Sequence, residues 1–222
     1  MMNTADLWNP IFLSLKVSIV SLVVVMVLGI FIGKMMAYSR FPGKILIDTI
    51  LLLPIVLPPT VLGFLLIILF GKTGLIGKFI DVLFQQSIMF TPLAAIIAAT
   101  VVSFPLMYQS AKTGFEGVDH EIEDAARVDG AGTWKLFYYV SLPLCRKSII
   151  AGVILSFARA LGEFGATFMF AGNIPGKTQT ISTAIYLYFE SGNMMMAWAL
   201  VLSIIIFSFF LLFILRQFQK EH

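Results

Sequence analysis

Charge is in short supply in this sequence of 222 residues: 12% are Asp, Glu, Lys or Arg, about half the share found in ordinary soluble domains. That scarcity excludes a water-facing exterior over much of the surface, because a soluble chain of this size would still need charged residues to cover its core. Cysteine is scarcer still. Cys145 stands alone, which excludes an intrachain disulfide and a cysteine-based metal cluster. Histidine occurs only at His120 and His222, which form no ligand pair, so no metal site is expected. No cluster of His, Asp or Glu of catalytic type appears, so no catalytic residue is expected either. A phosphate-binding loop, G-x-x-x-x-G-K followed by Ser or Thr, is also missing. Gly71-Lys72-Thr73 would need glycine where Leu66 stands, and Gly176-Lys177-Thr178 would need it where Ala171 stands. Basic residues are scattered between apolar segments instead of forming stripes interleaved with aromatics, which argues against nucleic acid as a partner.

What is abundant is apolar surface: 59% of residues are hydrophobic and the mean hydropathy is +0.96. The bilayer is therefore the expected solvent. A transmembrane helix needs about 20 mostly apolar residues. Five stretches qualify, at Ile11–Ile32, Ile50–Phe70, Thr91–Ser110, Ile149–Ala171 and Met196–Leu215. The first is read as a retained helix and not as a signal peptide, since the apolar run continues into Gly33, Lys34 and Met35 with no convincing cleavage site. The expected class is an all-α, polytopic membrane protein, with residues 1–222 forming a single transmembrane domain. Gly74–Phe90, with apolar residues at roughly helical spacing around Lys78 and Asp81, fits an interfacial helix better than a sixth span.

Five spans place the termini on opposite sides. Lys34, Arg40, Lys44, Lys112, Arg127, Lys135, Arg146, Lys147, Arg216 and Lys220 fall on one side, and Lys16, Lys72, Lys78 and Lys177 on the other. Ten against four, by the positive-inside rule, predicts a multi-pass protein of the cell membrane with its N-terminus outside and its C-terminus cytoplasmic. The loop Val118–Pro143 then faces the cytoplasm, and it is patterned as structure. Asp119 can cap a short helix whose first turns carry Glu121, Glu123 and Asp124 against the positive end of the dipole. Gly130 supplies a stop, Thr133 a second cap, and Leu142-Pro143 an end before the next span. On physical grounds alone, a solvated connector and a docking element remain equally open.

Asp124-Ala125-Ala126, then Gly130, then Val140-Ser141-Leu142-Pro143 resemble in order and spacing the EAA loop of permease subunits of binding-protein-dependent ABC importers, with Asp124 where the family usually has Glu. The resemblance narrows along nearly the whole chain. Phe41-Pro42-Gly43-Lys44, Leu53-Pro54 through Pro58-Pro59, Gly71 through Gly77, Leu161-Gly162-Glu163-Phe164-Gly165-Ala166 and Asn173-Ile174-Pro175-Gly176 look like the molybdate or tungstate permeases. Sulfate permeases are similar around Leu-Gly-Glu-Phe-Gly but usually carry an additional span. The resemblance implies a type I ABC importer permease fold and a homodimer, a second copy of the chain being its partner in the bilayer. It also implies cytoplasmic ABC ATPase subunits that bind ATP and Mg, no cofactor on this chain, and an extracytoplasmic oxyanion-binding protein. It further implies that Asp119, Glu123, Asp124, Ala125, Ala126, Gly130, Leu142 and Pro143 belong to the coupling element, with roughly Asp119–Gly130 as a helix seated in the ATPase. A secondary transporter or channel, which would not need an ATPase, is the contrasting class; a scaffold without transport is another.

Inside the spans, Pro54, Pro58 and Pro59 interrupt the second stretch, and broken backbone at membrane depth is tolerated only when buried in protein or lining a cavity, so this segment is expected inside the assembly, either as a packing kink or with Pro58 and Pro59 lining a pathway. Phe104-Pro105 repeats the pattern more weakly. Arg159 and Glu163, four apart, share a helix face, either as a structural ion pair or as pathway residues. Gly162 and Gly165 flank Glu163 and would permit close helix contact. Ser14, Ser18 and Ser21 recur on one face of the first span and read as packing and interhelical hydrogen-bond residues.

Overall fold

The structure, a computed structural model, describes residues 4–84 and 87–220, with no side chain described at 214–220. His222, the side chains of Arg216 and Lys220, and those of Leu83 and Phe84 in the expected interfacial helix therefore lie outside the described residues. The described residues form helices joined by turns and short loops, with no strand among them. The chain runs as α1 (Thr4–Tyr38), α2 (Lys44–Val56), α3 (Pro59–Phe70), α4 (Leu75–Phe84) and α5 (Pro92–Glu116). It continues as α6 (His120–Val128), α7 (Thr133–Leu136), a π-helical turn (Phe137–Ser141), α8 (Leu142–Leu144), α9 (Arg146–Leu161), α10 (Gly165–Phe170), α11 (Ile181–Glu190) and α12 (Met194–Lys220).

Among the described residues, three helices are continuous and apolar enough to cross a membrane: Asp6–Tyr38, Pro92–Glu116 and Met194–Phe213. The second and fourth expected spans are broken. Lys44–Val56 and Pro59–Phe70 meet at 115° inside the second, while Thr133–Leu144, from the stretch expected to be a cytoplasmic loop, meets Arg146–Leu161 at 74° just before the fourth, so the described residues give up to five spans if each bent pair counts as one. The bend at Leu57-Pro58 follows from two consecutive prolines. A residue preceding proline is pushed out of the helical region, and here both Leu57 (ψ 136°) and Pro58 (ψ 138°) precede one. Pro54, which acts on one residue only, stays inside α2, and Pro105 stays inside α5. The expected span Ile149–Ala171 ends its helix at Leu161 and resumes as the six-residue α10.

The centre of the bundle is α5, whose Ala94, Ala95, Ala98, Ala99, Met107, Tyr108 and Ala111 are fully buried. Small residues bring its neighbours close, as they do wherever apolar burial alone gives no preference over lipid. A Cβ on Gly29 of α1 would stand 2.7 Å from Met107 Cγ, and one on Gly33 would stand 2.9 Å from Ala111 Cβ. On the other side, a Cβ on Gly152 of α9 would meet Ser110 Cβ at 2.7 Å. The serine face of α1 also contributes: Ser14 and Ser18 are buried, and Ser14 Oγ accepts the backbone N–H of Ile181 at 2.7 Å. That bond fixes the start of α11, a helix inside a stretch expected to be plain loop.

Candidate functional site

The polar projection between α5 and α9 builds from its caps. Asp119 Oδ1 accepts the N–H of Glu121 at 2.9 Å and opens α6, with Glu121 and Glu123 in its first turn and Arg127 in its last. Arg127 bonds Asp124 at 2.5 Å. At the far end Gly130 takes φ +83°, and the N–H of Ala131 reaches back to the carbonyl of Ala126 at 3.0 Å, a closure that needs a left-handed residue between them. The second helix starts one residue earlier than expected. Gly132 flanks it, Thr133 is its first residue, and no side chain caps it. Leu142-Pro143 does not end it either. Pro143 has no N–H for the carbonyl of Tyr139 four residues back, and the register widens by one residue, so that Leu142 N–H bonds Phe137 O. The chain remains helical to Leu144 and turns at Cys145.

That widened turn aims Ser141 inward. Glu123, 1% exposed, accepts hydrogen bonds at Oε1 from Tyr38 at 2.7 Å and Ser141 at 2.5 Å, while Arg127 lies 3.7 Å from Oε2. His120 packs edge-on to Tyr38, and Lys34 sits 4.2 Å from the ring centre of Phe137. The projection is thereby fastened to the end of α1 and to the π-helical turn. Asp119, Asp124, Ala125 and Gly130 are exposed, Ala126 is half-buried, and Glu123 is turned into the protein. Around them the surface is unexpectedly apolar for a charged loop: Val128 is 88% exposed, Tyr139 79% and Trp134 74%. Trp134 stacks on Tyr138.

A second constellation forms where the two chain breaks meet. A Cβ on Gly165 would lie 2.8 Å from Pro59 Cβ, and one on Gly63 would lie 2.8 Å from Met169 Cβ, so α3 and α10 touch backbone to backbone. Gly162 makes no such approach; it is exposed and follows the last residue of α9. Arg159 Nη1 bonds Glu163 Oε2 at 2.7 Å, and Glu163 Oε1 accepts the N–H of Ala166 at 2.8 Å. One buried carboxylate thus ties the end of α9 to the start of α10. Pro58, Pro59, Gly165, Arg159 and Glu163 are brought together by this packing, as parts of a joint between broken helices.

Sequence reasoning missed a third polar cluster. Asp48 of α2 accepts from the Tyr108 hydroxyl and pairs with Lys112 Nζ at 2.6 Å, both on α5. Since no residue of α2 is buried, these polar contacts are a main attachment of that helix. Its signal was an acid at the edge of an apolar stretch, which the boundary drawn at Ile50 left in a loop.

The sequence matches the family of binding-protein-dependent transport system inner membrane components over residues 11–221. It is 52% identical over 220 residues to the Bacillus subtilis (strain 168) protein YvgM, provisionally named a molybdenum transport system permease, covering 99% of this chain and 96% of that one. The molybdenum transport system permease protein of Escherichia coli (strain K12) is 45% identical, over 84% of this chain and 81% of that protein. The sulfate transport system permease protein of the same strain is 34% identical, over 99% and 82%. Among solved structures, a chain of a bacterial alginate ABC transporter, crystallised with its pentasaccharide-bound periplasmic protein, superposes with a TM-score of 0.75. At 16% identity, covering 97% of this chain and 79% of that one, it shares the fold.

Proposed function

The chain belongs to the family of binding-protein-dependent transport system inner membrane components, and from that premise we propose that it is the translocation subunit of an ATP-driven importer for an oxyanion, molybdate before tungstate. Higher identity to the molybdenum permeases than to the sulfate permease, 52% and 45% against 34%, supports molybdate over sulfate as cargo. Two copies of the chain form the membrane part, fed by an external binding protein. Separate ATPases on the cytoplasmic side hold ATP and Mg; this chain holds no cofactor and has no hydrolytic site. The ten-to-four asymmetry of basic residues orients it with the N-terminus outside and the C-terminus inside.

The observation that carries the coupling role is the buried carboxylate of Glu123, which fixes α6 to α1 and to the π-helical turn. A solvated connector has no need of such an anchor. With α6 so held, a push on its outer face by closing ATPases is passed to α1 and α9 instead of being absorbed by loop motion. The exposed face presents the small residue Ala125, which lets another backbone approach, beside Asp124, Val128 and the aromatic pair Trp134 and Tyr138, which supply apolar contact. Asp119, Gly130, Leu142 and Pro143 shape this element, and Arg159 with Glu163 holds the joint at the far end of α9. The test is uptake of molybdate into proteoliposomes holding this chain, its ATPase and the binding protein. Uptake that requires internal or external ATP on the ATPase side supports the reading; uptake driven by an ion gradient without ATP would replace it with a secondary transporter.

A further inference from the structure

A cleft of about 500 Å³ opens between the first turns of α1 and the chain after α10, with Trp8, Asn9, Phe12, Lys16, Pro92 and Lys177 among its walls. Three features of those walls point the same way. Lys16 and Lys177 are exposed, and neither ammonium has an ion-pair partner among the described residues. Pro92 is the first residue of the 25-residue α5, whose N-cap Thr91 bonds Ala94 N, so the positive end of that helix dipole faces the same space. Finally, among the described residues no carboxylate lines the cleft. Like charges gathered without a counter-charge repel, and an anion bound between them turns that repulsion into attraction.

The geometry is built and not left to loop motion. Gly176 takes φ +74° with open space around it, and the turn is closed by Lys177 and Thr178 N–H groups donating to Ile174 O at 3.0 and 2.9 Å. Ile174 N–H donates in turn to Thr178 Oγ1 at 3.0 Å, and Thr178 is fully buried. Depth is set by α1. The apolar run between Lys16 and Lys34 covers about 26 Å at 1.5 Å per residue, close to the thickness of a bilayer's hydrocarbon core. Lys16 therefore stands at one membrane surface, with the exposed aromatic rings of Phe12 and Trp8 about one and two turns beyond it toward the aqueous phase.

We propose that this cleft is a binding site for a tetrahedral oxyanion, carried either by a free ion arriving for transport or by the phosphate of an anionic lipid headgroup. The two ammonium groups are donors only, the Asn9 amide adds two N–H donors, and the α5 dipole adds positive potential though Pro92 has no N–H and Ala94 N–H is taken by Thr91, which suits an acceptor-only anion with several oxygens. The free-ion source rests on the oxyanion cargo proposed above; the lipid source does not.

The experiment uses the complex of this chain with its ATPase in nanodiscs, without ATP or binding protein, as wild type and as the double variants Lys16→Gln/Lys177→Gln and Lys16→Arg/Lys177→Arg. In phosphatidylcholine discs, equilibrium dialysis with radioactive molybdate reads the free-ion source. After exchange into discs containing phosphatidylglycerol, native mass spectrometry reads retained anionic lipid. The glutamine variant is expected to lose tenfold or more in one of the two, and the arginine variant to keep it; which probe is lost identifies the source. If the glutamine variant binds molybdate and retains phosphatidylglycerol as the wild type does, the site does not exist. ATP-driven uptake by the wild-type complex, followed separately, reports on the importer reading, so either conclusion can fail alone.

Discussion

The hydroxyl of Tyr38, at the last residue of α1, donates a 2.7 Å hydrogen bond to the buried carboxylate of Glu123 on α6. Ser141, on the π-helical turn, donates to the same oxygen at 2.5 Å. Three segments far apart in sequence thus share one acceptor, and the projecting helix cannot tilt without breaking one of these bonds.

Removing that acceptor leaves the half-buried Tyr38 hydroxyl without its partner and Ser141 with only a long 3.4 Å contact to Leu136 O, at a cost of about 1–3 kcal/mol. Glu123→Ala is therefore expected to keep the protein in the membrane while lowering binding-protein-stimulated ATP hydrolysis at least tenfold. Glu123→Gln, which keeps an acceptor oxygen, is expected to fall between. Stimulated hydrolysis and uptake at wild-type rates in Glu123→Ala would show that the anchor transmits nothing.

Glu163 is the second buried carboxylate, and its two oxygens are divided between Arg159 and the N–H of Ala166. Arg159→Ala strands a charge with one donor left, whereas removing both side chains leaves no charge behind. The single variant is expected to lower the melting temperature of the detergent-solubilised complex by several degrees, about 1–3 kcal/mol, and Arg159→Ala with Glu163→Ala to recover part of it. A single variant with unchanged melting but no uptake would move the pair from the joint to the transport path.

How much of this was legible beforehand depended on whether the cause was local. Asp119 as a cap and Gly130 as a left-handed stop are decided within a few residues, and both stand where the pattern put them. The inward turn of Glu123 is not local, since it depends on Tyr38 and Ser141 arriving from elsewhere. Among Pro54, Pro58 and Pro59 the sequence ranked none; the consecutive pair Pro58-Pro59 bends the chain by 115° and Pro54 does not. Two signals were present and went unused. Gly29 and Gly33, four apart on α1, are the close-approach pair to α5. Thr180 followed by Ile181, Ala184, Ile185 and Tyr188 is a capped helical stripe, which α11 fulfils, too short to register as a span.

Orientation is open to chemical labelling. Pro175 is exposed in the turn before Lys177, on the side assigned to the exterior by the basic-residue asymmetry. Pro175→Cys in a Cys145→Ser background is expected to react with a membrane-impermeant maleimide on intact cells. Reaction only after permeabilisation would invert the topology and put α6 on the wrong side for an ATPase.

The outer face of α6 is where the importer reading is most exposed to failure. Ala125 is exposed beside Asp124, whereas Ala126 is half-buried against its own loop, so new bulk at Ala125 enters the space of a docked partner without disturbing this chain. Gly130 tests the turn by a different route. No atom lies within 4 Å of a Cβ placed there, so a larger residue fits by volume, and its cost comes from φ +83°. For a β-branched residue that strain is about 1–2 kcal/mol or more, enough to re-aim α6 without unfolding a bundle held by α1, α5 and α9. Ala125→Trp and Gly130→Val are each expected to reach the membrane at near-normal levels, to lose copurification of the ATPase, and to lose ATP-dependent uptake. A connector that touches nothing would tolerate both, and wild-type copurification in the two variants would sink the coupling assignment.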